Sequence, residues 1–190
     1  MATPLDGLDE LAGRLVRLRG PRTEDGPAFL ALDRDTEGTR RWNETSLPQT
    51  DERSRAWLER EVAEVRTDGR AFLVIERLED QAVVGPLRVW RASARNGRFS
   101  YGIAVGHDFR GAGYGSEAIV LLLRFYFGEL RYQKCDTTIH AYNEGSLRLH
   151  ERLGFQVEGR IRRATFTAGA FHDELVVGIT AEEFAARHPA

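Results

Sequence analysis

Cysteine and lysine are almost missing from this chain of 190 residues, which holds one of each, Cys135 and its neighbour Lys134. A single cysteine excludes an intrachain disulfide framework and a zinc cluster built on several thiolates, and it suits a reducing cytoplasm. Arginine supplies all the remaining basic residues out of 27, a bias that a GC-rich genome explains by composition alone. Net charge is scarce as well. The 29 acids and 27 bases leave −2, which excludes a globally basic nucleic-acid binder though not a local basic patch. Long apolar runs are absent, and the stretch from Ala118 to Leu123 falls far short of the ~20 residues that span a bilayer. No basic-plus-apolar leader pattern opens the sequence. The expected location is the cytoplasm, with neither membrane nor nucleic acid as partner.

What is present is ordinary for a globular enzyme-sized domain, with 42% apolar and 29% charged residues. No internal repeat or low-complexity linker divides the chain. A flexible segment over 1–12, one domain over 13–182 and a tail over 183–190 are expected. Arg14 to Arg19 alternates polar and apolar side chains, the period of a half-buried strand. Thr23, Glu24 and Asp25 mark a helix start whose buried side would hold Phe29, Leu30 and Leu32. Thr39 to Pro48 reads as a loop carrying Trp42. A second helix opens at Thr50 and Asp51, with Trp57, Leu58, Val62 and Val65 as its buried stripe.

Ala71 to Glu76, Val83 to Trp90 and Phe99 to Val105 then read as three strands, and their short links favour antiparallel pairing. A glycine-rich turn leads into a helix from about Ser116 to Phe127. A strand over Lys134 to Ala141, a helix over Glu144 to Leu153 stopped by Gly154, and two strands over Phe155 to Thr167 and Phe171 to Thr180 follow. Ala181 to Arg187 forms a last helical turn. That order predicts an α/β sandwich on a mixed sheet.

Two segments carry chemistry. In the first, Ile103, Ala104 and Val105 end a strand and lead into Arg110-Gly111-Ala112-Gly113-Tyr114-Gly115-Ser116. Three glycines permit positive φ and close approach of a ligand, and the helix opening behind them offers unpaired amides to an anion. No Gly-Lys-Ser/Thr follows, which excludes a Walker A loop, and the glycine spacing departs from the dinucleotide fingerprint. A plain tight turn is the competing explanation. In the second segment, Asn143, Ser146 and His150 fall three and four apart on one helix face. They form either a ligand-binding polar stripe or an N-cap with two ordinary helix residues.

Together the two segments resemble the GNAT superfamily of acyl-CoA-dependent N-acyltransferases. Arg110 to Gly115 is similar to that family's R/Q-x-x-G-x-G/A loop. Asn143 to Phe155 is similar to its N-x-x-S-x-x-x-Y-E-x-x-G-F helix, with His150 where the family has Tyr. Phe125-Tyr126-Phe127, Gly154 to Gly159, Arg160-Ile161-Arg162 and Phe171 to Glu174 resemble the RimJ/RimL-like branch.

The resemblance implies a GNAT fold: a mixed, mostly antiparallel twisted sheet of about seven strands with helices on both faces. It implies acetyl-CoA as cosubstrate, no metal, and direct transfer of the acetyl group to a primary amine, whether a protein N-terminus, a polyamine or a small molecule. Carried onto this sequence, it assigns Ile103, Ala104, Val105, Arg110, Gly111, Ala112, Gly113, Tyr114, Gly115, Ser116, Asn143, Ser146 and His150 to CoA. His150 would also meet the departing thiolate. The strand glutamate that serves some relatives as base is missing over Gly97 to Ser100, which leaves Glu76 as the substitute candidate. Trp42, Ser100 and Tyr101 would line the acceptor side. His172-Asp173 is read as structural, because neighbours on a strand face opposite ways, and Cys135 as packing. A non-catalytic acyl-CoA-binding module, a transferase using a longer acyl group such as succinyl, and a nucleotide-binding fold are the rival readings. A homodimer stays an open alternative.

Overall fold

A computed structural model describes residues 9–42, 50–64 and 66–189. The chain runs β1 (Val16–Arg19), α1 (Gly26–Arg34), α2 (Thr36–Trp42), α3 (Asp51–Ala63), β2 (Ala71–Arg77), β3 (Val83–Ser93) and β4 (Arg98–Ile103). It continues with α4 (Tyr114–Arg124), β5 (Lys134–His140), α5 (Glu144–Leu153), β6 (Gln156–Thr167), β7 (Ala170–Thr180) and α6 (Ala181–Arg187). The strands form one seven-stranded sheet in the order β1-β2-β3-β4-β5-β7-β6. The pairs β2–β3 and β3–β4 are antiparallel, as the short links require.

The central pair opens the sheet. β4 and β5 run parallel, and they pair only from Arg98 to Ser100 against Lys134 to Asp136. Past Ser100 the two strands part. β3 stays with β4 on one side of this gap and β7 stays with β5 on the other, so the gap is open through the sheet.

Each sheet face has its own core. On one, Phe99, Tyr101, Leu87, Ile119, Leu122 and Ile179 are fully buried. Phe99 stacks on Tyr126 at 4.3 Å between ring centroids. On the other, Phe29, Leu58, Phe72 and Val74 form a smaller cluster under α1 and α3. Gly154 ends α5 in the left-handed conformation with φ of 100°, as its position predicted. Thr180 and Glu183 cap α6 reciprocally, which seats Phe184 in the core. At the other end of the chain Leu11 is buried, and the Glu117 carboxylate accepts the amides of Arg14, Leu15 and Val16 at 2.6–2.9 Å.

Several local expectations are corrected. The buried stripe of α3 holds Leu58 and Glu61, while Val62 is exposed. Glu61 is tolerated there because Arg66 and Arg88 reach it at 2.6 and 3.2 Å. Part of the stretch read as a loop around Trp42 is helical, as α2. The side chain of Trp42, Pro48 and Val65 lie outside the described residues. The helix expected over Ser116 to Phe127 starts at Tyr114 and widens into a π-helical turn at Phe125–Glu129. Among the described residues no helix is long and apolar enough to cross a membrane.

Candidate active site

The parting of β4 from β5 leaves a cavity of about 570 Å³. Strand alternation decides what lines it. The amides of Ala104 and Gly106 bond back to β3, to Pro86 at 3.0 Å and Val84 at 2.9 Å. The amides of Ile103 and Val105 therefore face the gap, where they have no strand partner. Tyr101, Asn143, Ser146 and His150 line the cavity from the α4–α5 side of the sheet, and Arg88, Trp90, Gly102 and Glu174 from elsewhere on its wall.

The two histidine nitrogens are both spent inside the protein. His150 is 2% exposed, with Nδ1 2.8 Å from the Ser146 carbonyl and Nε2 2.8 Å from the Tyr101 hydroxyl. A carbonyl only accepts, so Nδ1 carries the proton and Nε2 accepts from Tyr101 O–H. Burial pushes the His150 pKa down to about 4, so the ring is neutral at pH 7. Burial also raises the Tyr101 phenol well above its ordinary value. Consequently no N–H of the neutral imidazole faces the cavity. The hydroxyls of Tyr101 and Ser146 are rotatable polar hydrogens at this wall, and that of Tyr101 is the one His150 holds. Asn143 takes the N-cap position, its Oδ1 accepting from the Ser146 amide at 3.2 Å, and it still lines the cavity.

Beyond β4 the glycine-rich loop enters α4. Gly111 and Gly113 have φ of 80° and 89°, conformations that a side chain with a Cβ adopts only under strain. Gly115 differs from the expectation. It lies within α4 at ordinary φ, and its smallness serves packing, since a Cβ there would come within 3.3 Å of Val105. α4 has no side-chain cap, and its first intrahelical bond is Glu117 N–H to Gly113 O at 3.1 Å. The amides of Tyr114, Gly115 and Ser116 precede that bond, so they are available to an anion. A Cβ at Gly111 would meet nothing within 4 Å, so the loop stands open to solvent. These features fit a diphosphate. The Arg110 guanidinium is tied to Asp35 at 2.7 Å and to the Val105 carbonyl at 3.1 Å. It braces the loop against α1 and α2 and brings a half-neutralised charge.

Three assigned residues stand elsewhere. Glu76 is 1% exposed and bound by the guanidinium groups of Arg17 and Arg19, and Arg19 also holds Asp25 at 2.7 and 2.9 Å. This buried ionic cluster joins β1, β2 and the entry to α1, and Glu76 does not line the cavity. Both its oxygens are held by guanidinium groups away from the cavity, so it is not placed to take the proton of an amine there. Ser100 is buried below the parting of the strands and donates to Asp136 at 3.2 Å. Ala104 spends its amide on Pro86 and turns toward a different cavity. The Trp42 side chain is outside the described residues. Cys135 is wholly buried, and burial raises its thiol pKa, which leaves it packing and no nucleophilic role. Asp173 binds Arg160 at 2.6 Å and the Arg163 amide at 2.8 Å, a structural part as expected.

Sequence reasoning missed Arg88, His140 and Glu174. Glu174 lies opposite His140 in the β5–β7 register, with Oε1 3.2 Å from His140 Nδ1. Both line the cavity, and Glu174 has no arginine or lysine partner within 4 Å among the described residues. Only the pairing register brings them together, and a single sequence carries no signal for it.

The fold and the loop can be set beside known proteins. An acetyltransferase (GNAT) domain model matches residues 15–156. The chain is 37% identical over 176 residues to the SPbeta prophage-derived uncharacterized N-acetyltransferase YokL of Bacillus subtilis strain 168, covering 93% of this chain and 96% of that one. It is 24% identical to the spermidine N(1)-acetyltransferase of Escherichia coli K12 over 91 residues, which cover 48% of this chain and 49% of that one. Among solved structures, a GCN5-related N-acetyltransferase from Brucella melitensis superposes with a TM-score of 0.78 at 24% identity, covering 93% of this chain and 80% of that one. The spermidine N-acetyltransferase from Vibrio cholerae in complex with CoA and spermine superposes equally well, at 0.78 and 16% identity, covering 90% and 98%.

Proposed function

The chain belongs to the GNAT acetyltransferase family and is an acyltransferase enzyme, and on that footing we propose that it moves an acetyl group from acetyl-CoA directly to a primary amine inside the gap between β4 and β5. The observation that carries the reading is the parted strand pair. It puts two unpaired backbone amides, of Ile103 and Val105, beside the open glycine loop and the Tyr101–His150 pair. When bound, acetyl-CoA supplies an activated thioester.

Arg110 to Ser116 hold the diphosphate through amides and the end of α4. The amides of Ile103 and Val105 hold the acyl carbonyl and favour its oxyanion as the amine attacks. Asn143 and Ser146 flank the arm of the donor on α5. Attack needs a neutral amine, and Glu174, beside His140 and with no arginine or lysine partner among the described residues, takes its proton. The Tyr101 hydroxyl turns from His150 Nε2 toward the departing sulfur and hydrogen-bonds it. His150 positions that hydroxyl. The role assigned from the resemblance thus passes from His150 to the residue it holds.

The test is release of CoA, followed with a thiol-reactive dye, from acetyl-CoA and a panel of primary amines. Turnover with acetyl-CoA above succinyl-CoA supports the reading. CoA binding in a thermal shift with no turnover on any amine favours the non-catalytic module.

A further inference from the structure

We propose that a second cavity, of about 400 Å³ on the α1–α3 face of the sheet, holds the body of the amine acceptor, and that this acceptor is an aromatic or bulky apolar primary amine that also bears an anionic group. The inference rests on the acyltransfer reading above and names its acceptor class. The cavity is not isolated. Arg88 and Gly102 line both it and the transfer cavity, so the two adjoin, with the body of the acceptor assigned to one and its amine to the other.

The walls set the first half of the class. Phe29, Trp57 and Phe72 surround the cavity with their rings 5.3–5.9 Å apart, two of the three contacts edge-on. Phe29 and Phe72 are buried while Trp57 is half-buried, so the indole offers part of its surface to an occupant. Such walls stabilise an apolar or aromatic body and offer a flexible polyamine chain little.

Charge sets the second half. α3 carries four acids, Asp51, Glu52, Glu59 and Glu61, and three arginines, Arg53, Arg55 and Arg60. Arg53, Trp57 and Arg60 fall four and three residues apart and line the cavity, whereas none of the four acids does. Arg88 adds a third guanidinium, shared with Glu61 at 3.2 Å. Among the described residues neither Arg53 nor Arg60 has a carboxylate within 4 Å. Asp33 is the sole acid on the wall among the described residues. The lining is therefore net positive. It repels a polycation and attracts a carboxylate or phosphate, while Glu174, on the wall of the adjoining cavity, receives the single ammonium of the acceptor.

The experiment is calorimetric titration of the full chain, with and without saturating CoA, using phenylalanine, phenethylamine and spermidine as probes. Phenylalanine is expected to bind at least about tenfold tighter than phenethylamine, with spermidine weakest. The exposed double variant Arg53→Ser/Arg60→Ser should remove most of that advantage and leave phenethylamine within about twofold. Equal affinity for the two aromatic probes, tighter binding of spermidine, or no binding of either aromatic probe overturns the proposal. CoA is titrated first and alone, so failure of the acyltransfer reading is seen separately, as absence of CoA binding.

Discussion

The two sides of the gap between β4 and β5 are built on opposite principles. On the α5 side Tyr101 and His150 are almost fully buried, neutral and bound to each other at 2.8 Å. On the other side Arg88, Glu174 and the arginines of α3 are charged and at least partly exposed. Under the proposed mechanism this difference puts the leaving group and the acceptor on opposite sides. A leaving group is best met by a donor held in a dry place, where only its O–H has to rotate and no water has to be displaced. A charged acceptor arriving from water needs counter-charges that water can reach, since a buried unpaired charge costs too much.

The largest effect that would break this contrast concerns the protonation of His150. Its folded pKa, about 4, lies below the ordinary value of 6.5, so the unfolded chain binds the proton more readily between those values. Stability is therefore full above pH 6.5 and falls as pH drops toward 4. Urea unfolding at pH 7 and pH 4.5 should show the native protein losing roughly 2–3 kcal/mol more than His150→Gln between the two. Parallel losses would mean that the imidazole is not held neutral.

A smaller effect sharpens the roles within the buried pair. Tyr101→Phe removes one hydroxyl and leaves Nε2 of His150 buried without a donor. A stability loss of about 1–3 kcal/mol is expected. The fall in kcat should reach at least about a hundredfold, with CoA affinity nearly unchanged. An unaltered kcat in the folded variant would return the thiolate to some other group.

The smallest effect tests the charged side. Glu174→Gln keeps the shape and removes the charge at a partly exposed position. Stability should stay within about 0.5 kcal/mol. The acceptor kcat/KM should drop about tenfold or more at neutral pH and recover toward alkaline pH, where the amine arrives already neutral. A flat comparison between the two proteins across pH would remove Glu174 from the reaction.

The sequence exposed these two sides unequally. The glycine loop and the Asn143–Ser146–His150 face were legible because their residues are neighbours in the chain, where local spacing dictates local geometry. Gly111 and Gly113 stand at positive φ as their spacing suggested, whereas Gly115 serves close packing, a matter settled by Val105. Glu76 is the substitute candidate for the base by sequence, and the structure buries it between two arginines of β1. Strand pairing made that contact, from more than 50 residues away in the chain. His140 and Glu174, Arg88 and Glu61, and Tyr101 and His150 are likewise partners through register and packing alone.

By itself the sequence determined the order of the strands and of most helices (α2 excepted), the glycine that ends α5, and the glycine-rich turn that opens α4. Those follow from backbone sterics and hydrogen bonds between residues a few positions apart. The tertiary structure alone decided that β4 and β5 part after three pairs, which face each side chain meets, and which histidine nitrogen carries the proton. Each of these is fixed by contacts between distant segments, whose free energies depend on burial and partner and not on the local run of residues.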